Sequence, residues 1–228
     1  MGNRAKHQDN REQEQANKPI QAKNDNQKAL LKSFKENIVT VASGDAGTGK
    51  SYLAGHWAGQ QVRLGYYDKV VVTRPYVTMG KSTGFWPGDV TDKLMPFLTP
   101  IINNICDQMG FGAAEYALSK GKIEIQPLEA IRGMSFQDAI LIVEEAQNTT
   151  PEEIKSIVTR IGDNTKLIFT GDSKQNDLKG LPGITYLENI VTKHNIPDVG
   201  IVKFTAQDIV RSGIVKDFVI AFDKESEQ

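Results

Sequence analysis

The sequence has one cysteine, Cys106, so the chain cannot form a disulfide framework or a cysteine metal cluster of its own. Histidine is scarce as well, and His7, His56 and His194 are scattered rather than grouped at metal-ligand spacing. These absences predict that Cys106 is a structural thiol and that histidine and cysteine side chains hold no metal.

Long apolar runs are also missing from the sequence. It contains no stretch of 18 or more apolar residues and no signal-peptide core. We therefore expect a cytoplasmic protein that does not bind a membrane.

The charges nearly balance, because the sequence has 27 basic and 28 acidic residues and a net charge of −1. The chain as a whole therefore does not attract nucleic acid, and nucleic-acid binding would need a local basic surface. The length of 228 residues suits one domain that buries a full core.

The first 24 residues are poor in apolar side chains and consist almost entirely of Asn, Gln, Lys, Arg, Glu, Asp and Ala. Such a segment cannot bury enough apolar surface to offset the entropy lost on ordering. The composition predicts a disordered polar tail over residues 1–24 and one folded domain over residues 25–228.

The most informative motif lies at residues 44–51, which read G-x-x-x-x-G-K-S. It follows an apolar run and precedes a helix-like segment, 52–65, whose N-terminus would face bound phosphates. Glycine lets the backbone curl until several N–H groups point into one concavity. Lys50 can reach the outer phosphates of a nucleotide, and Ser51 can offer its hydroxyl to Mg²⁺. The predicted phosphate-binding residues are Gly44, Ala46, Gly47, Thr48, Gly49, Lys50 and Ser51.

Strand-like apolar runs recur along the chain with helix-like segments between several of them. Continuous Val/Ile runs indicate strands that are covered on both faces. The alternation predicts an α/β fold of three layers around a mainly parallel sheet. The segment Met79–Gly110 is richer in Gly, Pro and aromatic residues, and we interpret it as an insertion outside the core. The predicted strands are Ile38–Ser43, Lys69–Thr73, Lys122–Gln126, Ala139–Glu144, Lys166–Thr170 and Ile201–Thr205.

Two of these strands end in polar side chains. The run Ala139–Glu144 is followed by a second acid, Glu145, and the carboxyl ends of parallel strands face the ligand crevice. Glu144 can hold Mg²⁺, while Glu145 can orient and deprotonate a water molecule for attack on the γ-phosphate. After the strand Lys166–Thr170, Asp172 can tune the metal shell and Gln175 can sense the γ-phosphate.

Taken together, these motifs resemble those of the PhoH-like family of P-loop ATPases, which is similar to one core of a superfamily 1 helicase. The resemblance runs from about Gln27 to Phe222. It implies a single RecA-like domain, ATP and Mg²⁺ as cofactors, and ATP hydrolysis. The motifs that carry it are residues 44–51, Thr73-Arg74-Pro75, Gly84-Phe85-Trp86-Pro87-Gly88, Ile131-Arg132-Gly133, Glu145-Ala146-Gln147-Asn148, Thr159-Arg160-Ile161-Gly162, Thr170-Gly171-Asp172 with Gln175, and Asp208-Ile209-Val210-Arg211.

The resemblance also implies roles for individual residues. Glu145 falls on the position of the catalytic acid, and Gln175 falls on the sensor glutamine. Gln27 falls where such ATPases use an upstream glutamine to read the adenine edge. One position departs from the family pattern, because Glu144 stands where the family usually has Asp, and its extra methylene displaces the carboxylate by about a bond length.

A charge stabiliser for the transition state is expected among the arginines, with Arg211 as the first choice and Arg160 as the second. A helicase-like site closes between two cores, and this chain has the length of one. We therefore expect a homo-oligomeric ring, with a hexamer favoured, in which one of these arginines reaches the neighbouring subunit's nucleotide. The alternative for each arginine is an ordinary ion pair.

Nucleic-acid contacts are open to two interpretations. Arg74, at a strand end, either contacts a nucleic-acid phosphate or pairs with an acid. The segment Gly80–Pro100 interleaves aromatic and cationic side chains, which suits single-stranded RNA or DNA but equally suits a hairpin or a subunit interface.

The favoured hypothesis is an ATPase that acts as a nucleic-acid-stimulated, RNA helicase-like motor. The alternative is a nucleotide-dependent regulatory module with slow ATPase activity that acts on a protein partner. A small-molecule kinase is a further rival, although the runs around Glu145 and Gln175 fit water as the attacking group.

Overall fold

The computed structural model describes residues 19–75, 90–172, 174–175, 180–210 and 213–226. In these ranges the strands are β1 (Val39–Gly44), β2 (Lys69–Thr73), β3 (Ile123–Ile125), β4 (Ala139–Val143), β5 (Thr165–Gly171) and β6 (Val199–Phe204). The helices are α1 (Asp25–Glu36), α2 (Lys50–Arg63), α3 (Val90–Asp107), α4 (Phe111–Ser119), α5 (Leu128–Ile131), α6 (Pro151–Val158), α7 (Gly183–His194) and α8 (Gly213–Ser226), with 3₁₀ turns at Ala146–Asn148 and Ala206–Asp208.

The six strands form one parallel sheet in the order β3-β2-β4-β5-β1-β6. All six predicted strands are confirmed, with ends that shift by at most two residues. Because β5 lies between β1 and β4, the loops that follow these three strands meet at the carboxyl edge of the sheet. The sheet order therefore brings the phosphate-loop motif, the paired acids and the Gln175 segment together.

Helices cover both faces of the sheet, which confirms the predicted three layers. Alternate strand residues such as Val70 and Ile142 pack on one face with α1, α2 and α3. The intervening residues, such as Val71 and Leu141, pack on the other face with α6 and α7. Burial on both faces explains why the strands consist of continuous apolar runs.

Helix α6 begins as its sequence indicates, at a cap followed by proline and two acids. The Thr150 hydroxyl accepts a hydrogen bond from the Glu153 backbone N–H, and the Glu153 carboxylate accepts one from the Thr150 backbone N–H. This reciprocal capping box fixes the start of the helix directly after the loop that carries the paired acids.

The interpretation of Met79–Gly110 as an insertion outside the core is wrong for the part that the structure describes. Helix α3 buries Leu94, Leu98, Ile101 and Ile105 at helical spacing. It lies so close to α2 that a Cβ added at Gly59 would come within 2.2 Å of the Ile105 carbonyl oxygen. For this segment, the helical spacing of apolar residues is a stronger structural signal than the content of proline and glycine.

Although α3 has 18 residues, no helix in the described ranges combines the length and apolar character needed to cross a bilayer.

Residues 19–24, which the sequence analysis assigns to the tail, contact the domain, whereas residues 1–18 are outside the described ranges. The Asn24 side chain caps α1 by accepting from the Gln27 backbone N–H, and its amide donates to the Asp208 carbonyl oxygen. Ile20 packs against the core. The division into a tail and a domain at residue 24 stays a prediction.

Candidate active site

The phosphate-loop motif forms a tight turn between β1 and α2. Gly44, Gly47 and Gly49 have φ angles of 117°, 79° and 91°, a region that side chains with a Cβ rarely adopt. A Cβ at Gly44 would also lie 1.9 Å from the Phe204 carbonyl oxygen, so position 44 accepts no other residue without rearrangement. The turn places the loop in front of the α2 N-terminus, where backbone N–H groups and the helix dipole favour anions.

Lys50 is buried at the start of α2, inside the turn. Its ammonium donates to the carbonyl oxygens of Gly44 and Asp45, at 2.6 and 2.7 Å. Burial lowers the pKa of Lys50, while the carboxylates of Asp172, Glu144, Asp45 and Glu145 oppose this shift. These acceptors are neutral oxygens, so the hydrogen bonds hold the Lys50 ammonium in the loop without neutralising its charge.

Glu144 follows β4 and joins three elements through its carboxylate. One oxygen accepts from the Ser51 hydroxyl at 2.8 Å and the other accepts from the Thr170 hydroxyl at 2.7 Å. Burial raises the pKa of Glu144, and the two hydroxyl hydrogen bonds work in the opposite direction. The structure thus brings together Ser51 and Glu144, the two residues that the sequence predicts as metal ligands.

Replacing Glu144 with glutamine is expected to stabilise the fold in a pH-dependent manner. Because the pKa of Glu144 is raised in the folded state, the wild type loses stability as the pH rises past the unfolded pKa and through the folded one. Glutamine stays neutral and can still pair with both hydroxyls. Thermal melts should show a higher Tm for Glu144→Gln at about pH 8 and a smaller difference at about pH 5. A difference that is the same at both pH values would contradict this prediction.

Glu145 occupies a strained backbone position directly after Glu144. Its φ angle of 53° lies in the left-handed region, which costs a non-glycine residue about 1–2 kcal/mol. The Glu145 carboxylate accepts a hydrogen bond of 2.6 Å from the side-chain amide of Gln147. The backbone and this hydrogen bond together fix where the second acid lies.

Gln147 is a site residue to which the sequence analysis gave no role. It is buried, and its amide oxygen accepts from the Asp172 backbone N–H at 3.0 Å while its amide nitrogen donates to Glu145. Gln147 therefore connects the acid after β4 with the segment after β5. Its place in the motif Glu145–Asn148 is the sequence signal for a role at the site, but the partners of its amide depend on the sheet order.

Replacing Gln147 with leucine is expected to lower turnover by about 10–100-fold, the usual cost of losing a group that orients a reactive side chain. Nucleotide affinity should stay within about threefold, because Glu145 and Asp172 lose orientation rather than charge. Steady-state kinetics and nucleotide titration measure both quantities. The matched control is Gln126→Leu. The Gln126 amide also donates to a glutamate two residues away, Glu124 of β3, but Gln126 does not line the cavity. Equal losses in the two variants would contradict a specific role for Gln147.

The segment after β5 carries Asp172 and Gln175 to the same cavity. Burial raises the pKa of Asp172, and hydrogen bonding by the Lys174 backbone N–H opposes this shift. The Gln175 backbone N–H donates to the Asp172 carbonyl oxygen, and the Gln175 side chain is exposed at the cavity. Both residues therefore line the same cavity as the phosphate loop and the paired acids, and their roles at the metal and the γ-phosphate stay predictions.

Gln27 lies in the cavity wall at the other side of the phosphate loop. Its amide nitrogen donates to the Thr48 carbonyl oxygen at 2.8 Å, and its amide oxygen accepts from the Lys23 backbone N–H at 2.7 Å. These hydrogen bonds tie the phosphate loop to the segment ahead of α1. Reading of the adenine edge by Gln27 stays a prediction.

One cavity of about 440 Å³ is lined by most of the residues described above, although Gln147 lies behind its wall-forming residues Glu145 and Asp172 through the hydrogen bonds it makes to them. This volume falls in the range of sites for small ligands and cofactors. Its lining combines the phosphate loop, the acids and the segment ahead of α1, namely Gln21, Lys23, Gln27, Ala46, Gly47, Gly49, Lys50, Ser51, Tyr52, Glu144, Glu145, Thr170, Gly171, Asp172, Gln175 and Val210.

The structure does not bring Arg160 to this cavity. The Arg160 carbonyl oxygen accepts from the backbone N–H of Phe136, just ahead of β4, which places Arg160 at the amino edge of the sheet. Its guanidinium donates to Ser156 and Thr159 of its own helix end. Arg160 therefore lies away from the cavity of its own chain, and Arg211 lies outside the described residues.

Arg74 lies at the carboxyl edge of the sheet, directly after β2. Its guanidinium lies over the Phe97 ring, 4.9 Å from the ring centroid, and half of the Phe97 surface is exposed. The Arg74 charge also acts on Glu144. Of the other aromatic and cationic residues in the predicted segment Gly80–Pro100, Lys93 lies in α3, whereas Lys81, Phe85 and Trp86 lie outside the described residues.

In the described ranges, no set of three or more His, Cys, Asp and Glu side chains could by itself hold a metal ion. His56 is buried and its ring nitrogen pairs with the Tyr52 carbonyl oxygen. Burial raises the pKa of Cys106, which disfavours the reactive thiolate.

Similarity to known proteins extends over nearly the whole chain. The profile of the family described as "PhoH: PhoH-like protein" matches residues 19–223. The chain is 37% identical over 210 residues to the PhoH-like protein of Bacillus subtilis (strain 168), covering 92% of this chain and 66% of that protein. It is 33% identical over 208 residues to Protein PhoH of Escherichia coli (strain K12), covering 90% and 58%. The chain therefore spans 58–66% of the length of these relatives.

Two solved structures align at low identity. The N-terminal domain of the DNA packaging ATPase from bacteriophage phi29 aligns at 16% identity with a TM-score of 0.44, covering 79% of this chain and 95% of that chain. The Pif1 helicase from Candida albicans aligns at 16% identity with a TM-score of 0.40, covering 82% and 41%. The fold assignment accordingly rests on the sheet order and the layers described above.

Proposed function

Because this chain belongs to the PhoH-like protein family, we propose that it binds ATP with Mg²⁺ in the cavity and hydrolyses the bond between the β- and γ-phosphates. The observation that carries this proposal is the convergence of Lys50, Ser51, Glu144 and Glu145 on one cavity from two separate strand ends. Cytoplasmic location is part of the proposal.

The residues present fit a magnesium ion. Mg²⁺ takes oxygen ligands, uses one or two carboxylates and keeps several water molecules and phosphate oxygens. The Ser51 hydroxyl and the Glu144 carboxylate, already joined by a hydrogen bond, would supply the protein oxygens. When bound, Mg²⁺ neutralises charge on the phosphates of the nucleotide.

The protein residues position the reactants and stabilise charge, which is how phosphoryl transfer is generally catalysed. The loop N–H groups and Lys50 hold the phosphate oxygens. Glu145 accepts a proton from the attacking water, and Gln147 keeps the Glu145 carboxylate in place for this step. Gln175 contacts the γ-phosphate or the water, and Gln27 contacts the base.

We also propose that single-stranded nucleic acid stimulates ATP hydrolysis. Arg74 and Phe97 support it, because an exposed aromatic ring beside a guanidinium suits the stacking of bases and the binding of phosphates. Arg74 also acts electrostatically on Glu144, so a polymer that engages Arg74 would affect the site. We favour a motor on single-stranded RNA, with DNA as the second choice.

The test of this proposal is the ATPase rate with and without single-stranded RNA or DNA. A motor predicts that one polymer raises the rate, and that Arg74→Ala and Phe97→Ala reduce the stimulation. A rate that neither polymer changes would favour the regulatory module, whose slow hydrolysis controls a protein partner.

We further propose that the subunits form a ring, with a hexamer favoured, in which an arginine from one subunit reaches the nucleotide of the next. The position of Arg160 at the edge opposite the phosphate loop supports this arrangement, because head-to-tail contact joins opposite edges.

Mixing two inactive variants tests the shared site. We expect that Lys50→Ala subunits combined with Arg160→Ala or Arg211→Ala subunits partly recover ATPase activity, because some interfaces regain both intact parts. Light scattering reports the assembly state of the same samples. A monomer with full activity at all concentrations would contradict the shared site.

A further inference from the structure

The phosphate loop contains a buried acid, Asp45, whose charge opposes the binding of phosphates. Asp45 is 3% exposed, and its Oδ2 atom has no hydrogen-bond partner among the described residues. A carboxylate in such surroundings repels the phosphate groups that the loop is built to hold. The loop can therefore hold phosphates well only if another group compensates this charge.

The compensating group is Lys174, which comes from the segment after β5. Its ammonium lies 2.8 Å from Asp45 Oδ1, and the Asp45 side chain is 5% exposed whereas that of Lys174 is 57% exposed. The pair therefore joins a buried anion to a cation that is more than half exposed. Removing the cation from such a pair costs more free energy than removing an ordinary exposed charge, because the buried carboxylate is left without a partner.

The same lysine is held at its backbone. The Lys174 N–H donates to Asp172 Oδ1 at 3.0 Å, and the Asp172 N–H donates to Gln147 at 3.0 Å. Gln175 is the next residue. The side chain of Lys174 thus adds a link from this segment to the phosphate loop, separate from the hydrogen bond to Gln147.

We propose that Lys174 is a positioning residue that neutralises Asp45 and fixes the Gln175 segment against the phosphate loop. This inference rests on the proposed nucleotide site. It assigns the lysine to the protein carboxylate rather than to the phosphates of the nucleotide. The two assignments make different predictions once Asp45 has lost its charge.

A double-substitution cycle on nucleotide affinity separates them. Titration with fluorescent N-methylanthraniloyl-ADP measures the Kd of wild type, Lys174→Met, Asp45→Asn and the double variant. Lys174→Met should weaken binding about tenfold or more, because the buried Asp45 charge is left unpaired next to the phosphates. In the Asp45→Asn background the same substitution should change the Kd by less than about threefold, since the buried carboxylate that pairs with the Lys174 ammonium is already neutral.

Two control variants keep the test specific. Lys174→Arg retains the charge and should stay within about threefold of the wild-type Kd. Lys203→Met removes a lysine from a similar ion pair outside the cavity. The Lys203 ammonium lies 2.8 Å from the Glu188 carboxylate, and the two side chains are 68% and 11% exposed. It should leave the Kd within about twofold of wild type. Thermal melts verify that every variant is folded.

The outcomes are distinct. Equal losses for Lys174→Met in both backgrounds would mean direct contact with the phosphates and would overturn the inference. Wild-type affinity in Lys174→Met would overturn it as well, while the proposed function would stand. If the wild-type protein itself bound no nucleotide, the proposed function would fail and this inference would fail with it.

Discussion

Replacing Lys50 with alanine is expected to lower ATP turnover by about 10²–10³-fold or more and to weaken nucleotide binding. The ammonium is held inside the phosphate loop by the carbonyl oxygens of Gly44 and Asp45, where it can follow the developing charge on the phosphates. Removal of one preorganised donor of this kind typically costs a rate factor of that size. Phosphate release and nucleotide titration give the two quantities.

Lys166 supplies the matched control. Burial lowers the pKa of Lys166 as it does that of Lys50, and the Lys166 ammonium also donates to a backbone carbonyl oxygen, that of Asn37. Lys166 lies at the opposite end of β5 from the cavity. Lys166→Ala should keep turnover within about twofold after correction for the folded fraction. Comparable turnover in Lys50→Ala and wild type would refute the phosphate-loop role.

Replacing Glu145 with glutamine is expected to preserve nucleotide binding and to reduce hydrolysis by about 10²–10⁴-fold. An amide cannot accept the proton of the attacking water, which is the step assigned to this carboxylate. The amide can still pair with Gln147, so the local geometry should survive. Single-turnover hydrolysis after confirmed nucleotide binding measures the chemical step directly.

Glu144 provides the comparison for this variant, because it is the adjacent acid with a different environment. Its carboxylate is occupied by the Ser51 and Thr170 hydroxyls, which suits metal binding better than proton transfer. Glu144→Gln should therefore raise the Mg²⁺ concentration needed for activity. If Glu144→Gln reduced the rate at saturating Mg²⁺ more than Glu145→Gln, the roles of the two acids would be reversed.

Local sequence signals predicted most of the fold because the four central strands, β1, β2, β4 and β5, are buried on both faces. The apolar run of such a strand is bounded by polar residues, as at Lys69–Thr73, which matches β2 at both ends. The phosphate-loop residues were predictable for a similar reason, since contiguous residues form the whole turn.

Features that depend on the sheet order were not predictable in the same way. The contacts of Gln147 with Glu145 and Asp172 require β4 and β5 to be neighbours. The pairing of Asp45 with Lys174 joins residues far apart in the sequence. Residues 19–24 contact the domain although their composition resembles that of residues 1–18, because Asn24 finds specific partners in α1 and at Asp208.

We propose that this site hydrolyses ATP with water as the acceptor. Phosphate release from ATP and Mg²⁺ by the purified chain tests this proposal when no other acceptor is present and Lys50→Ala is measured in parallel. We expect Mg²⁺-dependent release by the wild type and loss of that release in Lys50→Ala. Nucleotide binding by the wild type without release above the Lys50→Ala background, with or without RNA and DNA, would contradict it.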